Sequence, residues 1–179
     1  MKSGIFATME IPAPARDRIA EVQRWADPRY AAESPPHVTI IGSSGAGPMP
    51  LDTPVERIRE LVEPITRDTP PVTVTLERPH RFMQTEIVVL PLDPHGPLRT
   101  LHERIRSSGL PFERPRFPFS PHVTLSYYPR MTKEMERRLM AVRVEGPVIL
   151  GSVRFWKTVE GRGSDLVLEL GLVGGADGR

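Results

Sequence analysis

Apolar and polar positions fall in short blocks along this chain, switching between a period of two and a period near 3.6. Residues 4–11 (GIFATMEI) are an apolar run closed by Pro12, which predicts a first strand. Ala15, Ile19, Val22 and Ala26 recur at helical spacing and predict a helix over 14–26. Residues 36–42 (PHVTIIG) predict a short strand that runs into the glycine-rich loop 43–47 (SSGAG). Thr53-Pro54-Val55-Glu56 has the form of a helix start: Thr53 caps, Pro54 suits the first turn, and Glu56 sits three residues on. Val55, Ile58 and Leu61 continue one face, and Pro64 is expected to kink or end that helix.

Two strands, 71–77 and 85–91, follow as an expected antiparallel pair. Leu98, Leu101 and Ile105 predict a helix over 95–108. A strand at 121–127, a short helix at 132–141 and closing strands near 147–157 and 164–171 complete the pattern. The end of the chain, 174–179 (GGADGR), is expected to be a flexible tail. Strands and helices mixed with hairpin signals argue for an α+β fold rather than a doubly wound sheet.

The 179 residues suit one compact domain, or two packed lobes sharing a core, over 1–173. Hydrophobic residues at 39% and charged residues at 26% are ordinary for a globular chain. The 21 prolines are scattered between apolar runs and punctuate turns. A formal charge of +2 excludes a polycation that binds nucleic acid by bulk electrostatics. The basic groups are nevertheless 21 arginines against 3 lysines, and arginine is the better residue for bidentate phosphate contacts. With no cysteine there can be no disulfide, thiolate nucleophile or cysteine-bound metal. No apolar run approaches the length of a membrane span and the first segment reads as a strand, so a cytoplasmic protein with no membrane association is expected, a monomer by default.

The pattern contains a rough duplication. Ser34-Pro35-Pro36-His37-Val38-Thr39-Ile40 corresponds to Phe119-Ser120-Pro121-His122-Val123-Thr124-Leu125, sharing proline, histidine, valine, threonine and an aliphatic residue. The two histidines lie 85 residues apart, close to half the chain, and each follows a helix and a loop. Only five histidines exist in the chain, so two in one setting is more than composition delivers. On a strand, His and Thr two apart point the same way, about 7 Å apart, while Val and the aliphatic residue point into a core. Two such strands across one gap would present two imidazoles and two hydroxyls to one ligand. That set suits phosphoester chemistry. A neutral histidine takes a proton from the attacking oxygen, a histidinium protonates the departing one, and the hydroxyls bond the non-bridging oxygens. The scheme uses no metal and no cofactor.

The paired motif resembles that of the two-histidine phosphoesterase superfamily, which includes bacterial 2′-5′ RNA ligases and RNA 2′,3′-cyclic phosphodiesterases. The family pattern, His-x-Thr/Ser followed by a hydrophobic residue, falls on His37/Thr39 and on His122/Thr124. The resemblance implies a bilobal α+β fold, with a pseudo-two-fold pair of antiparallel sheets, helices outside and a central cleft lined by the motifs. It implies His37 and His122 as catalytic residues and Thr39 and Thr124 as phosphate ligands. It also implies hydrolysis of a 2′,3′-cyclic phosphate at an RNA or nucleotide end, commonly to a 2′-phosphate, with reversible 2′-5′ ligation in some members. One departure is visible: relatives often follow the first motif with an arginine and an aromatic residue, whereas here Ile41-Gly42-Ser43-Ser44-Gly45 follows.

Further substrate contacts are expected from Ser43 in the glycine-rich loop, from Tyr128, which strand alternation places with His122, Thr124 and Ser126, and from Arg130. Ser44, Arg114, Arg116, Phe117, Phe119 and Tyr127 flank the same segments, with ordinary packing or solvated charge as the competing role. His80, His95 and His102 lack the paired setting and are left out of the site. Two other functions stay open: a phosphodiesterase of small cyclic nucleotides, and a non-catalytic module binding RNA or a nucleotide in the same cleft. A basic groove leading from the histidines would favour RNA.

Overall fold

A computed structural model describes residues 3–127 and 130–174. It is a mixed α/β structure in which a curled antiparallel sheet carries five helices. The strands are β1 (Gly4–Glu10), β2 (His37–Ile41), β3 (Val72–Leu76), β4 (His80–Arg81), β5 (Val88–Asp93), β6 (His122–Ser126), β7 (Val148–Leu150), β8 (Ser152–Val159) and β9 (Gly163–Gly171). The helices are α1 (Ala15–Ala26), α2 (Pro28–Glu33), α3 (Val55–Arg67), α4 (Gly96–Arg106) and α5 (Lys133–Met140).

Hydrogen bonding orders the strands β7-β3-β5-β6-β2-β1-β8-β9, with β4 beside β5. The two histidine strands, β2 and β6, are thus neighbours in the middle of the path. On one side lie β1, β8 and β9; on the other β5, β3 and β7. The duplication expected from sequence is a real repeat of structure: β1–helix–β2 in one half and β5–helix–β6 in the other.

Alternation places the apolar residues behind this sheet. Val38, Ile40, Val123 and Leu125 are fully buried, together with Ile19 and Val22 of α1 and Leu98, Leu101 and Ile105 of α4. Two polar anchors cross that layer. Gln23 donates to the Thr124 carbonyl at 2.8 Å, and His102 Nδ1 lies 2.8 Å from the Ile40 carbonyl. Each helix of one half therefore grips the motif strand of the other.

Several local expectations are corrected. The predicted strand 147–157 is two strands, broken at Gly151: β7 joins β3 at one end of the path, and β8 joins β1 near the other. One intervening residue keeps the Cα atoms of Leu150 and Ser152 within about 7 Å of each other. The two ends of the path must therefore approach, which is why the sheet curls. The second hairpin strand begins at Val88 rather than 85, and β3 does pair with β5 antiparallel, through Thr75↔Asp93 and Leu76↔Leu92.

Thr53 does not cap α3. Pro54 holds the N-cap position and the Thr53 hydroxyl is buried without a partner. Pro64 does not end α3, which continues to Arg67; a proline this near the C-terminus removes a single helical N–H bond. Helix α2, absent from the sequence expectation, starts at Asp27, whose carboxylate accepts from the Tyr30 N–H at 3.0 Å. Gly174, assigned to the tail, donates its N–H to the Thr69 carbonyl; 175–179 lie outside the described residues.

Candidate active site

The site is built on the seam between the two halves. Val38 and Val123 face each other across β2 and β6 in antiparallel register. That register puts His37 opposite Thr124 and Thr39 opposite His122. Positions directly opposite in such a pair lie about 5 Å apart and diagonal ones about 7–8 Å. The four side chains therefore form a square on one face, each histidine diagonal to the other. All four are half-buried, while the valines between them are fully buried on the opposite face. That spacing would let the four groups contact one phosphate-sized ligand together.

Both imidazoles are held in the same way. His37 Nδ1 lies 2.8 Å from the Pro35 carbonyl, and His122 Nδ1 lies 2.7 Å from the Ser120 carbonyl. A carbonyl only accepts, so Nδ1 carries the hydrogen in both rings. Nε2 is left to face the gap, as a lone pair in the neutral ring or an N–H in the charged one. Ser34 Oγ adds a second neighbour to His37 Nδ1 at 3.1 Å. Burial pushes both pKa values below the ordinary histidine range. The carbonyl bonds oppose that shift in each ring, Glu10 opposes it at His37, and the charge of His37 adds to it at His122.

Beyond the square the two halves differ. Opposite His37 on β1 is Glu10, and opposite Thr39 is Thr8. Thr8 faces Arg154 on β8, and the Thr8 hydroxyl accepts from Trp156 Nε1 at 3.0 Å. Arg154 bridges Glu10 and Glu169, with Nε 3.0 Å from Glu169 Oε1. In the other half, the residue opposite His122 is Pro91 and that opposite Thr124 is Val89. There the ring of Phe82 stands edge-on to His122, at 5.1 Å and 88°. Glu10, Arg154, Trp156 and Phe82 were missed from sequence because they sit in other strands and no local spacing connects them to the motifs.

The other expected residues are less concentrated. Ser43 is exposed in the loop after β2, and its carbonyl, not its hydroxyl, is engaged, accepting from the Arg116 and Phe117 N–H groups. Arg130 is exposed, four residues past β6, with no side-chain hydrogen bond or ion pair among the described residues. Tyr128 lies outside the described residues. Ser126 is fully buried with an unpartnered hydroxyl, because the register shifts between Val88 and Val89 and breaks the alternation at that end of β6. Phe119 is buried against His102, with ring centroids 4.0 Å apart, and Tyr127 stacks on Tyr30. His80 lies opposite Val89, one strand beyond Thr124.

Gly42, the second residue after the first motif, has a steric role. A Cβ there would lie 2.6 Å from the Thr39 methyl group. Among the described residues no group of three or more His, Asp or Glu side chains is placed to hold a metal, and no helix is long and apolar enough to cross a membrane.

Comparison with known proteins agrees with this architecture. The family model of the 2′-5′ RNA ligase superfamily matches residues 11–162, and the chain belongs to that superfamily of two-histidine phosphoesterases. A Geobacillus kaustophilus protein named "Putative phosphoesterase" is 29% identical over 118 residues, 64% of this chain and 63% of that one. The chain thus matches a little under two thirds of that relative's length. Among solved structures, Escherichia coli LigT complexed with 3′-AMP superposes with a TM-score of 0.65 at 20% identity, covering 95% of this chain and 98% of LigT. A protein of Thermus thermophilus gives 0.63 at 19% identity, covering 95% and 98%. At these identities the solved structures speak for the fold.

Proposed function

We propose that this protein is a phosphodiesterase that opens a 2′,3′-cyclic phosphate at an RNA or nucleotide end without a metal ion. The observation that carries the reading is the His37–Thr124–His122–Thr39 square on one face of the seam. Both rings direct Nε2 toward the gap, because Nδ1 of each is tied to a backbone carbonyl. That LigT, a protein of this fold, is known in complex with 3′-AMP supports a nucleotide as the ligand.

The difference between the halves divides the roles. We assign the proton of a singly protonated pair to His37, which faces the Glu10 carboxylate, rather than to His122, which faces Pro91. Arg154 offsets part of the Glu10 charge without removing the asymmetry. His122 is accordingly the base and His37 the acid. His122 Nε2 takes a proton from water as its oxygen bonds to phosphorus. The bond from phosphorus to the 3′ oxygen breaks, that oxygen takes the Nε2 proton of His37, and a 2′-phosphate remains. Thr39 and Thr124 donate to the non-bridging oxygens, whose charge grows at that moment. A 5′ hydroxyl in place of water gives a 2′-5′ linkage by the same transfers.

The test is an oligonucleotide ending in a 2′,3′-cyclic phosphate, incubated with EDTA and with wild type, His37→Ala or His122→Ala. Turnover to a 2′-phosphate by wild type, undiminished by the chelator and lost in both variants, is the expected result. Turnover abolished by EDTA, or retained by either variant, refutes the mechanism.

A further inference from the structure

Away from the square, a groove of about 440 Å³ opens between α4 and the segment leading into β6. Arg99, Arg106, Arg114 and Arg116 line it, with Phe117 and a single carboxylate, Glu103. Four arginines against one glutamate give this groove a larger positive excess than the chain as a whole, whose formal charge is +2. Several arginines elsewhere, Arg16, Arg18, Arg29, Arg57, Arg67 and Arg137, pair with carboxylates beside them on their own segments, as Arg106 does with Glu103. Arg99, Arg114 and Arg116 have no carboxylate partner among the described residues. Phe117 is 63% exposed, which is unusual for a large aromatic side chain that makes no core contact.

The groove adjoins the proposed catalytic seam. Phe119, on its wall, is three residues before His122, a span of at most about 11 Å. Arg99 reaches 3.4 Å from the Phe119 carbonyl and lies over its ring, bracing the wall. Gly45, also on the wall, belongs to the loop that follows Thr39; its N–H donates to the Phe117 carbonyl. The groove therefore lies at the end of the seam where the chain leaves β2 and enters β6, within a few residues of both motif strands.

We propose that this groove binds the sugar-phosphate backbone of a single RNA strand whose cyclic end occupies the square, so that the preferred substrate is an oligonucleotide and not a free cyclic nucleotide. The proposal rests on the function proposed above and names its substrate class. Guanidinium groups unpaired within the protein suit phosphate oxygens, and an exposed ring among them suits a base, which stacks without regard to sequence. Arg106 pairs with Glu103 at 3.0 Å, so Arg99, Arg114 and Arg116 are the guanidinium groups of the groove that remain to contact phosphates.

The test compares wild type, Arg114→Ala/Arg116→Ala and Phe117→Ala on a cyclic-phosphate-ended 12-mer and on a mononucleoside 2′,3′-cyclic phosphate. Binding of a fluorescent 12-mer carrying a 2′-phosphate is measured alongside. Arg114 and Arg116 are exposed, and the Arg116 contact with Ser43 is made by its backbone, so the fold does not depend on these side chains. The ratio of kcat/KM for 12-mer over mononucleotide should fall about tenfold in the double arginine variant. The salt slope of 12-mer binding should drop by roughly 1.4, from two lost phosphate contacts on a single strand. Phe117→Ala should weaken 12-mer binding at least fivefold with the slope retained, as expected for one lost stacked base. A ratio that stays constant, or 12-mer binding indifferent to all three changes, overturns the proposal. If wild type turns over neither substrate, the catalytic reading fails while the binding measurement still decides the groove.

Discussion

The two halves of the seam carry the same five-residue motif in different surroundings. His37 is backed by a polar row across β1 and β8, with Glu10, Thr8, Arg154 and Trp156 linked by an ion pair and a hydrogen bond. His122 is backed by Pro91 and Val89 and touched edge-on by Phe82. Duplication accounts for a symmetric pair of imidazoles. Acid–base catalysis needs one charged and one neutral, and that difference comes from the flanking strands rather than from the motif.

The largest effect expected from breaking this comparison is at the hydroxyls, which the two halves share. Thr39→Val and Thr124→Val should each lower kcat by about a hundredfold, the usual cost of one lost donor to a developing oxyanion. Urea midpoints should hardly move, since both side chains are only half-buried. Loss in one variant alone would show that a single half binds the phosphate. A smaller effect should come from Gly42, where the halves part: the corresponding position after the second motif is Tyr127. Gly42→Ala should displace Thr39, whose methyl group stands 2.6 Å from the new Cβ, and lower kcat about tenfold with the fold retained.

Smaller again is the change expected on removing the charge that separates the two histidines. Glu10→Gln takes away a carboxylate that raises the His37 pKa and leaves Arg154 uncompensated on that side, and both act to lower it. His37 must be protonated to act as acid, so the alkaline limb of kcat/KM should move to lower pH, by under about one unit. The acid limb, set by neutral His122, should stay where it is. A shift of the acid limb instead would exchange the two roles. Stability should respond to pH more gently. His37, His102 and His122 all have pKa values lowered mainly by burial, so the fold prefers their neutral forms. The stability they contribute is present above the unfolded value near 6.5 and falls as pH drops through it toward the folded values. Urea midpoints at pH 7.5 and pH 5 should show this loss, and His102→Phe should reduce it.

What could be read in the sequence was what is local. Alternation within 36–42 and 121–127 located both motif strands and the faces of His37, Thr39, His122 and Thr124, and helical spacing located α1, α3 and α4. The meeting of β2 with β6 could be argued only from the repeat, since 85 residues separate them. Glu10, Phe82 and Arg154 were out of reach because cross-strand register is long-range and leaves no periodic trace. Gly151 looked like part of one strand because nothing in its composition marks a chain crossing between sheet ends. His102, left out of the expected site, ties α4 to the Ile40 carbonyl behind the sheet and packs on Phe119.

The claim on which all of this depends is that both imidazoles act in one event on one phosphate. Its most direct test is kcat for His37→Ala, His122→Ala and the double variant on the same cyclic phosphate at the wild-type optimum. Each single change should cost about a thousandfold or more, and the double change little beyond either, because partners in one step fail together. Losses that multiply, or a single variant within a few fold of wild type, would mean that the two histidines do not share a site.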